Sequence, residues 1–283
     1  MVNNPISLYK EELKQAEFEL ISKYVNKNFG IKLPDHKRIM LQGRLINRLI
    51  KLNLPNFKAY TDYAFSEQGR ISELPLMIDY ISTNKTDFFR ESVHFDILKE
   101  KCIPCFLENS NTKQMQIWSA GCSSGEEAYT IAMTCADEEK SKLNFDYTIL
   151  ATDVSLRMLE KGKNAIYPLK DIESFSEETK KKYLLKSKDK EKSEVRIKKA
   201  LRDKVRFQWH NLMDQEYKIH QEFDIIFCRN VLIYFSKEDQ LHVLTNLYKN
   251  LKTGGFLFLG HSESINHFNL PLINIGQTVF QKL

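Results

Sequence analysis

The chain has 283 residues, 42% of them hydrophobic, and a net charge of +5, which leaves room for one large or two modest domains with a sizeable core. No run of about 18 apolar residues occurs, which excludes a membrane-spanning helix, and Met1 to Lys10 lacks the basic and apolar regions of a secretory signal. Five cysteines, an odd number, point to reduced thiols and a cytoplasmic setting, not a disulfide framework. The charge is segregated: residues 22–58 carry nine Lys/Arg against one acid, residues 180–206 carry thirteen against four, and the rest of the chain is net −12. Two basic faces imply an acidic partner, whether nucleic acid, an anionic membrane surface or an acidic protein.

Residues 1–83 read as all-helical, with apolar residues at helical spacing over 13–24, 39–52 and 74–81. Pro34 and Asp35 set a proline and a capping side chain before the second of these helices. A further helical stretch holds Cys102-Ile-Pro-Cys105, but no second Cys or His pair accompanies it, so two incidental thiols are expected there. From Met115 the pattern becomes strands alternating with helices. Strands are predicted at 115–119, 147–152, 205–209, 223–228 and 256–259, and helices at 127–136, 155–163 and 237–250, with Thr253-Gly254-Gly255 as a helix stop. This is the rhythm of an α/β doubly wound sheet. The lysine-rich stretch 165–203 interrupts it, and its short apolar runs at 183–185 and 195–197 predict an inserted hairpin; a solvated loop is the alternative.

The most informative segment is Ile117-Trp-Ser-Ala-Gly-Cys-Ser-Ser-Gly-Glu-Glu127, a strand, a small-residue loop and a helix start. Its Gly-x-x-x-Gly spacing is not that of a dinucleotide fingerprint. A helix that opens on Glu126 and Glu127 repels pyrophosphate and suits a cationic ligand. S-adenosylmethionine, with an ammonium, a sulfonium and no phosphate, fits that demand; a plain loop-helix turn with surface acids fits it too. Asp153 ends the next strand, where a carboxylate can accept both ribose hydroxyls, or can merely cap the following helix. Asn211, Arg229 and Asn230 follow later strands at the same sheet edge. Upstream, Asn84, Thr86 and Arg90 alternate with the Phe88-Phe89 pair and can face a ligand.

Four blocks together resemble the chemotaxis receptor glutamate methyltransferases: Thr83-Asn-Lys-Thr-Asp-Phe-Phe-Arg-Glu91 with His94-Phe95, Trp118 to Glu127, Phe227-Cys-Arg-Asn-Val-Leu-Ile-Tyr-Phe235, and Gly260-His-Ser-Glu263. The resemblance covers residues 35–280. It implies a basic helical substrate-recognition domain over 1–83, then a methyltransferase domain over 84–283 that carries an inserted antiparallel β-subdomain at 165–203. It further implies methyl transfer from S-adenosylmethionine to receptor glutamates, with S-adenosylhomocysteine as product, in the cytoplasm beneath membrane receptor arrays. Carried over by position, cofactor contacts fall on Asn84, Thr86, Arg90, Glu127, Asp153, Asn211, Leu212, Arg229 and Asn230, with Gly121 in the cofactor loop. Arg90 and Tyr234 match the residues beside the transferred methyl. Gly121 and Cys122 stand where some members carry alanines.

A glutamate carboxylate is ionised at pH 7 and can attack a sulfonium methyl without a general base. No Ser-His-Asp arrangement, metal cluster or catalytic cysteine is then expected, and His261 reads as structural. On the 35–52 helix, Lys37, Arg44, Arg48 and Lys51 fall within a stripe of about 60° beside an apolar face, which predicts a positive surface for acid-rich receptor segments. A nucleic-acid methyltransferase is the first rival, but the Arg229-Asn230-Val231-Leu232 segment lacks the proline-bearing box of amino-methylating enzymes. A cofactor- or receptor-binding protein without catalysis is the second. The 186–193 stretch has no glycine and six charged side chains, so capture of a receptor C-terminal pentapeptide by strand addition is not expected here.

Overall fold

A computed structural model describes residues 11–110, 112–141, 145–189, 191–265 and 267–283; Met1 to Lys10, read above for a signal, and Lys190 of the charged stretch lie outside them. The described residues of the N-terminal part form five α-helices: α1 (Gln15–Phe29), α2 (Arg38–Leu52), α3 (Phe57–Ala64), α4 (Glu67–Ser72) and α5 (Leu74–Ile81). Phe18, Ile21, Val25, Leu41, Leu45, Leu49, Tyr60 and Met77 make their own apolar core. Gly30 ends α1 in the left-handed region, and Asn56 and Ser66 cap α3 and α4 through their side-chain oxygens. The expected Asp35 cap is not formed. Residues Asp35–Lys37 instead make a 3₁₀ turn with no side-chain cap, and the Asp35 carboxylate accepts from Gln15 at 3.5 Å.

Past a coil, helix α6 (Val93–Ile97) widens into a π turn (Leu98–Cys102) before α7 (Ile103–Asn109). The widening sits where Pro104 removes an N–H from the ladder. Cys102 and Cys105 are both free thiols.

The main sheet has seven strands in the order β6-β2-β1-β7-β8-β10-β9. Strands β1 (Gln114–Ala120), β2 (Asp146–Asp153), β6 (Val205–Trp209), β7 (Phe223–Cys228) and β8 (Leu251–Leu259) are parallel, as the contiguous apolar runs predict. Helices α8 (Glu126–Ser141), α9 (Leu156–Asn164) and α12 (Lys237–Asn250) cross between them. Alternate strand residues feed two apolar layers, with Ile117 and Ile149 in one and Trp118 and Leu150 in the other. Chain order reverses at β1, which has β2 on one side and β7 on the other, so a crevice opens at its carboxyl end. β9 (Leu272–Gly276) and β10 (Val279–Lys282) add an antiparallel edge that the sequence did not announce.

Residues 165–203 form a second sheet, in the order β3-β5-β4. The expected hairpin is β4 (Leu184–Lys186) against β5 (Glu194–Ile197), and β3 (Ile166–Pro168) pairs with the other edge of β5. Helices α10 (Glu177–Tyr183) and α11 (Lys199–Arg202) flank it. Tyr167 of β3 is buried, and its hydroxyl donates to the Ser124 carbonyl at 2.7 Å, so the insert buttresses the loop after β1. No helix among the described residues is long and apolar enough to cross a membrane.

Candidate active site

The crevice at the β1 switch point is a cleft of about 240 Å³. Its floor is the loop between β1 and α8. The N–H groups of Gly121 and Cys122 both donate to the Thr152 carbonyl, at 2.8 and 2.9 Å, which pulls the loop over the end of β2. Gly121 has φ +82°, and a Cβ there would lie 2.6 Å from the Val231 side chain, so a larger residue is strained with Val231 in place. Gly125, at φ +95°, is likewise closed off by Phe207 and Tyr167.

Asp153 lies at the tip of β2. Its Oδ2 accepts from the Ser123 N–H at 2.8 Å and its Oδ1 from the Ser155 N–H at 2.9 Å. Helix α9 is capped by Ser155 itself, so Asp153 braces the two loops and its carboxylate keeps acceptor capacity for a ligand. Burial pushes its carboxyl up, against the pull of those backbone N–H groups.

The two glutamates at the start of α8 part company. Glu126 is buried away from the cleft, with both carboxylate oxygens taken by the Ser124 hydroxyl. Glu127 lines the cleft, accepts from the Ser119 hydroxyl at 2.7 Å and lies 3.7 Å from Arg229 Nε. Burial raises its carboxyl, with Arg229 opposing.

Arg229, buried at the end of β7, organises the opposite wall. One of its terminal nitrogens donates to the Arg90 carbonyl and lies 3.4 Å from Glu91. Its Nε and Nη1 have no hydrogen-bond partner. Asn230 follows at φ +57°, and its side chain donates to Glu91 Oε1 at 3.2 Å. Burial works against the Glu91 carboxylate, yet Asn230 and Arg229 hold it below its ordinary range. Glu263, buried, accepts from the N–H groups of Gly260, Asn230 and Ile233 and so shapes the segment leading to Tyr234. The role of Glu263 was not read from sequence, although it ends one of the four blocks.

All the sequence-predicted ligand residues line this one cleft: Asn84, Thr86, Arg90, Gly121, Glu127, Asp153, Asn211, Leu212, Arg229, Asn230 and Tyr234. Asn84 is held through its carbonyl, which accepts from Ser123 Oγ at 3.0 Å, and Arg90 Nη1 donates to the Lys85 carbonyl at 3.1 Å. The Asn211 side chain bonds the Asn28 carbonyl at 2.7 Å and the Met213 N–H, so it ties the sheet edge to α1. Sequence reasoning missed Ser123, His210 and an apolar wall from the helical part, formed by Phe29, Ile31, Leu33 and Met40. The only signal for that wall is a run of apolar residues around the Gly30 helix end, which reads as ordinary core.

The predicted basic stripe is overturned in part. Lys37 lines the mouth of the cleft and Lys51 is exposed. Arg44, however, donates to the carbonyls of Ile81 and Ser82 at 2.6 and 3.2 Å, closing the end of α5. Arg48 is only 3% exposed and forms a two-pronged ion pair with Glu73, at 2.9 and 2.5 Å. Its angle on the helix lies next to the apolar face, and a carboxylate from a neighbouring helix draws it inward. Arg48 is thereby withdrawn from the surface, and Arg44 is half-buried with its guanidinium engaged by backbone carbonyls.

A family description reading "CheR methyltransferase, SAM binding domain" matches residues 84–280, and "CheR methyltransferase, all-alpha domain" matches residues 16–82. The chain belongs to the CheR methyltransferase family. It is 39% identical to a chemotaxis protein methyltransferase of Borreliella burgdorferi over 93% of this chain and 91% of that protein. It is 35% identical to one from Salmonella typhimurium, over 95% and 90% of the two chains, and 34% identical to one from Escherichia coli, over 95% and 91%. As a CheR methyltransferase it uses S-adenosylmethionine, and the cleft suits that group. Glu127 and Asp153 are desolvated acceptors for a cationic nucleoside, and the unpartnered Arg229 nitrogens await an anion such as a methionyl carboxylate.

Proposed function

We propose that this enzyme methylates the side-chain carboxylates of glutamates in the cytoplasmic regions of chemoreceptors, giving glutamate 5-O-methyl esters in chemotactic adaptation. The observation that carries the reading is a single cleft lined by two half-buried carboxylates, Glu127 and Asp153, and by the buried Arg229 guanidinium, two of whose nitrogens have no hydrogen-bond partner. Bound there, S-adenosylmethionine supplies an electrophilic methyl on sulfur. Asp153 accepts the ribose hydroxyls, and Glu127 and Arg229 orient the charged methionyl end. Asn84, Thr86, Asn211, Leu212 and Asn230 complete the enclosure. The incoming glutamate is already ionised at pH 7, so no residue has to remove a proton. Arg90 orients that carboxylate, and Tyr234 offers a hydrogen bond near the methyl. Aligning the two reactants in line and stripping water from the nucleophile supply the rate.

Lys37 and Lys51 are the cations of the stripe left to meet an acidic receptor helix. The insert contributes no peptide tether on this reading. Its charged turn opposes strand addition, and the enzyme works without nucleic acid or membrane insertion. Incubation of receptor cytoplasmic fragments with deuteromethyl-labelled cofactor, followed by peptide mass spectrometry, tests the assignment. Label on glutamate is expected, with turnover reduced about tenfold or more in Arg90→Ala and Tyr234→Phe. Label confined to other residue types, or to nucleic acid, overturns it.

A further inference from the structure

Glu91, His94 and His261 are brought together beneath Arg229 and Asn230, outside the cleft lining. His94 is fully buried on α6, and its Nε2 lies 2.6 Å from the Gln277 carbonyl oxygen. A carbonyl can only accept, so Nε2 carries the ring proton and Nδ1 presents a bare lone pair. That Nδ1 has no hydrogen-bond partner, nor has Glu91 Oε2, 3.5 Å away. The Arg229 guanidinium, 3.4 Å from Oε2, serves only the Glu91 side, so the buried imidazole nitrogen still faces a carboxylate oxygen, an arrangement that a cation between them relieves. The ring of exposed His261 stands with its centroid 5.0 Å from that of His94, and one ligand atom from each of the three residues lies within 4.8 Å of the others.

We propose that Glu91, His94 and His261 bind a divalent transition-metal ion of the zinc class, and that its binding weakens the cofactor cleft. Imidazole and carboxylate are donors that zinc accepts at about 2.0–2.2 Å, which puts neighbouring ligands of a tetrahedral centre about 3.4 Å apart. The Nδ1–Oε2 separation of 3.5 Å meets that edge without movement. His261 has only to turn an exposed ring, and water completes the coordination from the same side. The surroundings are those of a ligand set. A metal-bound histidine donates its other N–H to a carbonyl, as His94 does to Gln277, and a metal-bound carboxylate is itself held by donors. Glu91 Oε1 accepts from the Asn230 amide at 3.2 Å and from the His261 N–H at 3.3 Å.

The coupling follows from charge. Arg229 Nη2 lies 3.4 Å from the same Glu91 oxygen, and a dication there repels the guanidinium that lines the cleft. Metal and cofactor therefore oppose each other, each lowering the other's affinity by one common factor.

Cobalt(II) titration of the full chain, followed by visible absorption, reads the site directly. Zinc calorimetry with and without S-adenosylhomocysteine reads the coupling. One equivalent of strongly absorbing, four-coordinate cobalt is expected. Binding should weaken about tenfold or more in both His261→Ala and His261→Asn, at an exposed position where the fold tolerates change. Saturating zinc should raise the Kd for S-adenosylhomocysteine about fivefold or more, and the His261 variants should lose that effect. No saturable absorption, as when a proton alone bridges Glu91 and His94, overturns the site, and so does binding that both variants retain. Metal binding with unchanged cofactor affinity overturns the coupling.

Discussion

In α2, Arg48 is buried against Glu73 and Arg44 closes a helix end, whereas in the insert Lys180 and Lys199 pair with Glu177 and Asp203 in open solvent, and Lys198 reaches the Lys181 carbonyl. Both regions carry a large excess of positive charge in sequence. The difference is one of chemistry: a guanidinium is a planar fork that matches a carboxylate or a row of carbonyls, while an ammonium is a compact, strongly hydrated charge. The charge of Arg44 and Arg48 is therefore part of the packing, while that of Lys199 stays where a partner can feel it.

That contrast breaks first at Arg48. Arg48→Ala strands Glu73 in a dry core and should cost about 3–5 kcal/mol in urea unfolding. Replacing both partners, Arg48→Met with Glu73→Leu, should recover most of the loss. A cost under about 1 kcal/mol for the single change would show that the pair is peripheral.

A smaller effect belongs to the cleft. Asp153→Ala should weaken S-adenosylhomocysteine by about 1.5–3 kcal/mol, the scale of hydrogen bonds to a charged group, when measured by calorimetry. Lys180→Ala should leave that affinity alone, and a shift in both would mean that the insert's charge reaches the cofactor.

Acid sharpens the comparison further. Burial pushes His210 down to about 4, and its Nε2 has no hydrogen-bond partner. The folded value lies below the unfolded one, near 6.5, so the unfolded chain binds the proton first. The neutral ring's contribution is whole above pH 6.5 and is lost as pH falls toward 4. Urea midpoints at pH 7 and pH 5 should show this loss in the wild type and a smaller one in His210→Gln. Equal losses would remove His210 from the acid response.

The smallest effect is expected at Lys199→Ala, within about 0.5 kcal/mol of wild type, as for solvent-exposed ion pairs generally. A larger cost would make the insert's surface pairs structural after all.

The parallel strands were legible because most hold a short apolar run, as β7 does, or an apolar alternation, as Val205-Arg-Phe-Gln-Trp209 does in β6. β9 and β10 were not, since their hairpin turns on Gln277 and Thr278, both at positive φ, where asparagine or glycine is the usual signal. Three-residue β3 is too short to show a period. α3 and α4 are brief helices: buried Phe57, Tyr60 and Ala64 give α3 only about two turns of pattern, and α4 buries Gly69 alone. The ligand residues were legible because most lie in contiguous blocks and the rest, Asp153, Asn211 and Leu212, follow the carboxyl ends of predicted strands. The Arg48–Glu73 pair and the Glu91–His94–His261 group were not, because their members lie on separate elements and only the tertiary fold makes them neighbours.

The cleft is sutured along its margins. Lys32 N–H reaches the Tyr234 carbonyl at 3.4 Å, Asn211 holds Asn28, and Arg157 grips Asp79 through its N–H and guanidinium, each at 3.3 Å. A ligand in such a seam touches both halves at once, so its binding energy is shared by a single cooperative melting unit. Damage deep in the helical half should then register as weakened grip on a nucleoside it never contacts.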